Sequence, residues 1–112
     1  MATALNNFRT ITANLTSSIA NVYTAPVGYS AVVLLAQVSN LTGGILTVSG
    51  NVYKVDGNSV SLVRSATLPP NDAISLVGGR LILQVGDSFA AGANVTDSSQ
   101  LVLSVLETST AG

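Results

Sequence analysis

Gln100-Leu101-Val102-Leu103-Ser104-Val105-Leu106-Glu107-Thr108 repeats with a period of two. Successive side chains of an extended strand point to opposite faces. Leu101, Leu103 and Val105 therefore share one face, and Val102, Ser104 and Leu106 share the other. The first set reads as core, and the mixed second set as a face under partial cover. Elsewhere, Leu46 and Val48 alternate with Ile45, Thr47 and Ser49, and Val60 and Leu62 alternate with Ser59 and Ser61. Ala31–Ala36 and Leu81–Leu83 are continuously apolar and are expected to be central strands covered on both faces. A helix over Ala31–Ala36 is excluded by its shortness and by Val32-Val33, whose branched side chains are stiff in helices.

Turn chemistry separates these runs. Pro26-Val27-Gly28 and Thr42-Gly43-Gly44 interrupt the first half. Asp56-Gly57-Asn58 is the strongest hairpin signal, because Asp-Gly accepts the positive φ angles of a type I′ turn. Pro69-Pro70-Asn71-Asp72 is excluded from any central strand, since neither proline donates a ladder hydrogen bond. Gly78-Gly79, Gly86-Asp87, Gly92 and Asp97-Ser98-Ser99 mark the remaining breaks. The spacing predicts about eight strands, near 9–15, 19–24, 30–40, 44–53, 59–66, 80–85, 87–91 and 100–108. Short strands at such intervals predict an all-β, single-domain antiparallel sandwich of the jelly-roll kind. The domain is expected over 9–112, with residues 1–8 as an N-terminal arm.

Hydrophobic residues make up 47% of the 112, and charged residues only 8%, against about 25% in ordinary globular proteins. Fourteen Ser, eleven Thr and nine Asn supply the polarity instead. Such short side chains lose less rotamer entropy on ordering than Lys or Glu, up to about 2 kcal/mol for the long ones. They also accept burial when hydrogen-bonded. A hydroxyl-rich exterior with a net charge of −1 suits permanent packing against other protein surfaces. Arg9, Lys54, Arg64 and Arg80 are scattered, so no basic stripe is available for nucleic acid. The longest apolar run is far below the roughly 20 residues of a membrane-spanning helix. Met1–Asn7 has neither the basic start nor the apolar stretch of a signal peptide, so none is expected.

The residues that usually carry chemistry are few. Histidine and cysteine are absent, which removes the usual base near neutral pH and the best nucleophile. Asp56, Asp72, Asp87 and Asp97 lie in or beside predicted turns, where Asp bonds its own backbone, and Glu107 is the remaining acid. Asp56-Gly57-Asn58-Ser59 lacks the remainder of a calcium loop, and Gly78-Gly79-Arg80 leads into a strand and not the helix of a phosphate loop. Three Asn-X-Thr sequons, at Asn14, Asn40 and Asn94, are expected by chance in so Asn- and Thr-rich a chain. No enzymatic activity and no cofactor is expected. Tyr23 and Tyr29 flank the Pro26 turn. Tyrosine is a favoured interface anchor, which makes Tyr23, Pro26 and Tyr29 the expected contact spot.

Val22-Tyr23-Thr24-Ala25-Pro26-Val27-Gly28 with the apolar strand after it, Gly79–Ser88 and Ser104-Val105-Leu106-Glu107 resemble segments of small β-sandwich virion structural proteins of tailed bacteriophages. The resemblance spans about residues 10–108 and its motifs are mainly structural. It implies a virion subunit, foremost a capsid decoration (cement) protein. It further implies a homo-oligomer, with a trimer favoured, that clamps the major capsid protein or other virion subunits. A neck, collar or tail fibre component is one alternative, and a receptor- or glycan-binding module is another.

Overall fold

The computed structural model describes residues 6–96 and 98–109. Nine strands run through them: β1 (Asn6–Asn14), β2 (Ala20–Thr24), β3 (Tyr29–Asn40), β4 (Leu46–Tyr53), β5 (Ser59–Leu68), β6 (Ala73–Ser75), β7 (Leu81–Leu83), β8 (Ser88–Ala93) and β9 (Ser99–Ser109). Every pairing is antiparallel. β1 pairs with β9, β2 with β8, β3 with both β6 and β7, and β4 with β5. The chain is thus one long ribbon of nested strand pairs closing on the β4–β5 hairpin. Two further pairings, β3 with β9 and β4 with β8, roll this ribbon up. The first sheet then runs β1-β9-β3 with β6 and β7 sharing the far edge, and the second runs β2-β8-β4-β5. Counting β6 and β7 as one interrupted strand, this is the eight-stranded jelly-roll order, and the fold is the expected sandwich.

The alternation in β9 sorts its side chains as its sequence dictates. Leu101, Leu103 and Val105 are buried between the sheets, with Val102, Ser104 and Leu106 half-covered on the outside. Val33, Ala36 and Val38 of β3, Leu46 and Val48 of β4, Leu68, Leu76, Leu83 and Phe89 are among the other members of the shared core. Every residue of β8 is buried, which its small side chains, Ala90, Ala91, Gly92 and Ala93, allow. A Cβ on Gly92 would lie 2.9 Å from the carbonyl oxygen of Ser18 and 3.0 Å from the backbone of Ile19, so the β1–β2 connection passes directly over it.

Four expectations are corrected. Ala31–Ala36 does lie in a strand central to its sheet, but it is covered on one face only. The register slips between Val33 and Leu35, and this bulge leaves both Leu34 and Leu35 exposed while Ala31, Val33 and Ala36 are buried. The unbroken apolar run thus reflects a change of side-chain parity and an uncovered outer face. Leu81–Leu83 is an edge strand that pairs with β3 alone, and Ile82 is 65% exposed. The Asp56-Gly57 turn is not type I′, because only Gly57 has a positive φ, of 98°. Gly57 N–H donates to the Lys54 carbonyl and Lys54 N–H to the Asn58 carbonyl, the pattern of a type I turn closed by a left-handed glycine bulge. Finally, β1 begins at Asn6, so residues 6–8 of the expected arm are sheet, while residues 1–5 and Asp97 lie outside the described residues.

Candidate interaction surface

Two buried acids organise one end of the sandwich. Glu107 faces inward near the end of β9 and is 3% exposed. It accepts hydrogen bonds from the Tyr23 hydroxyl at 2.6 Å, Asn7 Nδ2 at 3.1 Å and Arg9 Nη1 at 3.1 Å. Tyr23 belongs to β2 and Glu107 to β9, so the contact ties one sheet to the other. Arg9 also lies over the Tyr23 ring, 5.9 Å from its centroid. Burial pushes the Glu107 carboxyl pKa up, but the bonds from Tyr23, Arg9 and Asn7 outweigh it and hold the group below the ordinary carboxylate value. Burial, and then the bond to Glu107, push the Tyr23 phenol well above its ordinary value.

Asp87 is fully buried in the β7–β8 turn. Its Oδ1 accepts Val55 N–H at 3.0 Å, and its Oδ2 accepts Gln84 N–H at 3.0 Å and the Lys54 ammonium. It joins the β4–β5 hairpin to the β7–β8 turn. Here too burial raises the pKa, and the bonds to Lys54, Val55 and Gln84 bring it below the usual range. Asn40 plays a matching part at the opposite end. Its Nδ2 donates to the carbonyls of Gly44, Leu68 and Pro69, and its Oδ1 accepts from Thr42. Asp56 and Asp72 accept from Asn58 N–H and Ala73 N–H, within their own turns. Each described acid thus has a structural task. Among the described residues, no three His, Cys, Asp or Glu side chains come together as a metal site would need.

The expected contact spot is divided by the fold. Tyr23 is buried, with its hydroxyl consumed by Glu107, so it is corrected from a surface anchor to a bridge between sheets. Pro26 and Tyr29 are half-buried, and Val27 between them is 93% exposed at the loop tip. Pro26 accepts a hydrogen bond from Tyr29 N–H at 3.0 Å, which closes the turn. The three residues do not form one exposed aromatic platform.

A more extensive apolar surface lies on the outer face of the first sheet. Phe8 of β1 is opposite Leu106 of β9, Leu106 is opposite Val32 of β3, and Val32 is opposite Ile82 of β7. These four side chains form one row straight across four strands. At about 4.8 Å per strand the row is roughly 15 Å wide. Phe8 is 73% exposed. With Leu34 at the bulge and Arg80 before β7, the row lines a shallow open depression of about 480 Å³. Polar pairs border it on β1 and β9: Thr10 with Ser104 on one side, Asn6 with Thr108 on the other. The sequence signal for this row was the mixed outer face of β9. Its partners were invisible because register across non-adjacent strands is set by the rolled topology.

No protein-family model matches the chain, and no curated protein matches it. Among solved structures, the chain is similar to the Bacillus endospore appendages that form disulfide-linked pili. The identity there is 9% and the TM-score 0.46, with 95% of this chain and 88% of that one covered. It is also similar to a pentameric capsid protein isolated from metagenomic phage sequences, known from two structures, at 17% identity and a TM-score of 0.40. In that case 88% of this chain is covered, but only 62% and 60% of the other chains, less than two thirds of their length. Both are likenesses of chain path at low identity, and neither transfers a function.

Proposed function

We propose that this chain is a virion structural subunit of a tailed bacteriophage, a capsid decoration (cement) protein that strengthens the shell by protein–protein contacts and catalyses no reaction. The observation that supports it is the outer apolar row Phe8–Leu106–Val32–Ile82, exposed at its Phe8 and Ile82 ends and bordered by hydroxyl and amide groups. The resemblance of the strand and turn segments to phage virion proteins supplies the setting.

The row is small beside the roughly 800 Å² that each partner buries in a stable interface. It therefore serves as the apolar centre of a contact whose remainder is the surrounding Ser, Thr and Asn surface. A site of this size binds modestly alone, and a homo-oligomer, the favoured trimer, reaches firm attachment through effective concentration. The major capsid protein is the partner in this reading. The test is to assemble particles with and without the protein and compare their heat resistance and its copy number. Weaker particles without it, and a copy number that scales with the shell, support the reading. Equally robust particles carrying only a few copies overturn it in favour of a neck or tail position.

A further inference from the structure

The two sheets have four edges, and three of them are blunted against further pairing. Free edges expose unpaired N–H and C=O groups, and short strands or bulges are the usual protection. The far edge of the first sheet is split into β6 and β7, of three residues each. In the second sheet, β2 has five residues and an irregularity between Asn21 and Tyr23. β5 is interrupted twice against β4 and holds Ser65 at a φ of 50°. Among the described residues, β1 is neither short nor bulged, and its one charge, Arg9, is turned inward onto Glu107. It pairs with β9 over nine consecutive residues without a register shift, contains no proline, and is exposed along most of its length.

The sequence of β1 also suits a copy of itself. Laid antiparallel about a two-fold axis at Thr10, the strand places Thr10 against Thr10 of the second copy and Phe8 against its Thr12. Arg9 then falls opposite Ile11 of the second copy, Asn7 opposite Ala13, and Asn6 opposite Asn14. Arg9 is the one charged residue of β1, and its guanidinium is engaged by Glu107, so no like charges are directly opposed. Threonine pairs across strands are favourable, and the Thr12 methyl would cover part of the exposed Phe8 ring. Two-fold pairing of one surface with itself is the commonest way soluble chains associate.

We propose that two copies of this chain join edge to edge through β1, in antiparallel register centred on Thr10, so that their first sheets become one continuous sheet. The pairing uses the strand edge and touches the outer row only at Phe8, leaving Leu106, Val32 and Ile82 open, so it does not require that the row dock on a virion.

The experiment measures solution mass by sedimentation equilibrium for the wild-type chain, for Thr10→Lys and Thr10→Glu alone, and for an equal mixture of the two variants. Thr10 is exposed on the outer face, so both variants keep the fold, which circular dichroism verifies. The wild type is expected to dimerise. Each variant alone sets like charges against each other at the axis and weakens the dimer roughly fivefold. The mixture restores it by pairing Lys with Glu. A wild type that stays monomeric into the millimolar range, or that assembles only as a trimer, overturns the proposal. A dimer indifferent to both variants, or a mixture no stronger than either variant alone, overturns it as well, since the contact then lies elsewhere or in another register.

Discussion

At the scale of single residues, the two buried acids should dominate the response to mutation and to pH. Asp87→Ala leaves Val55 N–H, Gln84 N–H and the Lys54 ammonium without their acceptor. Breaking a buried pair in this way costs about 3–5 kcal/mol, and Lys54, itself a third exposed, recovers part of that from water. Denaturant titration should show a loss of about 2–4 kcal/mol. The pH dependence has a definite sign. Asp87 and Glu107 titrate below their ordinary values when folded, so their contribution is complete above the unfolded values near pH 4 and disappears as pH falls through the depressed ones. Tyr23 is shifted the opposite way, so its contribution holds below about pH 10 and is lost as pH rises beyond it. Thermal melts from acid to alkali should fall off at both extremes. Glu107→Gln should flatten the acid limb, and Tyr23→Phe the alkaline one. An acid limb unchanged in both Glu107→Gln and Asp87→Asn would contradict this account. In the sequence, Glu107 and Asp87 were visible only as a strand residue and a turn residue. Their burial follows from contacts with Tyr23 and Lys54, which are 84 and 33 residues away, and no local pattern encodes those.

At the scale of elements, period-two patterning carried most of the information. The strands containing Gln100–Thr108, Leu46–Ser49 and Ser59–Leu62 formed where alternation and turn residues placed them. β6 went unseen because Ala73-Ile74-Ser75 is three residues long and follows two prolines, so it has no room for a periodic signal. It is a strand only because β3 offers Gln37–Ser39 as a partner. The opposite error concerned Leu81–Leu83, where an unbroken apolar run suggested cover on both faces but marks an uncovered edge. β8 shows how tightly the layers constrain sequence. The backbone of Ser18 and Ile19 occupies the space a Gly92 side chain would need, and backbone cannot rotate aside as a side chain can. Gly92→Ala should therefore cost about 1–3 kcal/mol and lower the melting temperature by several degrees, roughly 4–8 °C per kcal/mol in a domain near this size. Gly43→Ala, with nothing within 4 Å of the added Cβ, is the matched control and should melt close to the wild type.

At the scale of the whole molecule, the proposed role would divide the first sheet, its inner face carrying stability and its outer face the contact with a partner. Leu103 on the inner face is fully buried in the shared core, and Leu103→Ala should cost about 2–5 kcal/mol in transfer and cavity terms. Phe8 and Ile82, at the ends of the outer row, are already in water. Exchanging them for serine removes little that folding gains, and exposed substitutions of this kind usually stay within about 0.5 kcal/mol. Binding sees the opposite. Apolar area hidden against a partner contributes about 25 cal/mol per Å², and a large side chain brings one to a few kcal/mol to the contact it centres. The double variant Phe8→Ser/Ile82→Ser should therefore melt with the wild type yet bind particles at least tenfold more weakly, as read by co-sedimentation with shells that lack the protein. Leu103→Ala should reverse the pattern: less stable, but binding normally wherever it remains folded. This crossed design isolates the outer row from the fold. If the double variant still decorates particles at wild-type occupancy, the contact lies on another surface, and the exposed apolar row is no part of how this chain meets its partner.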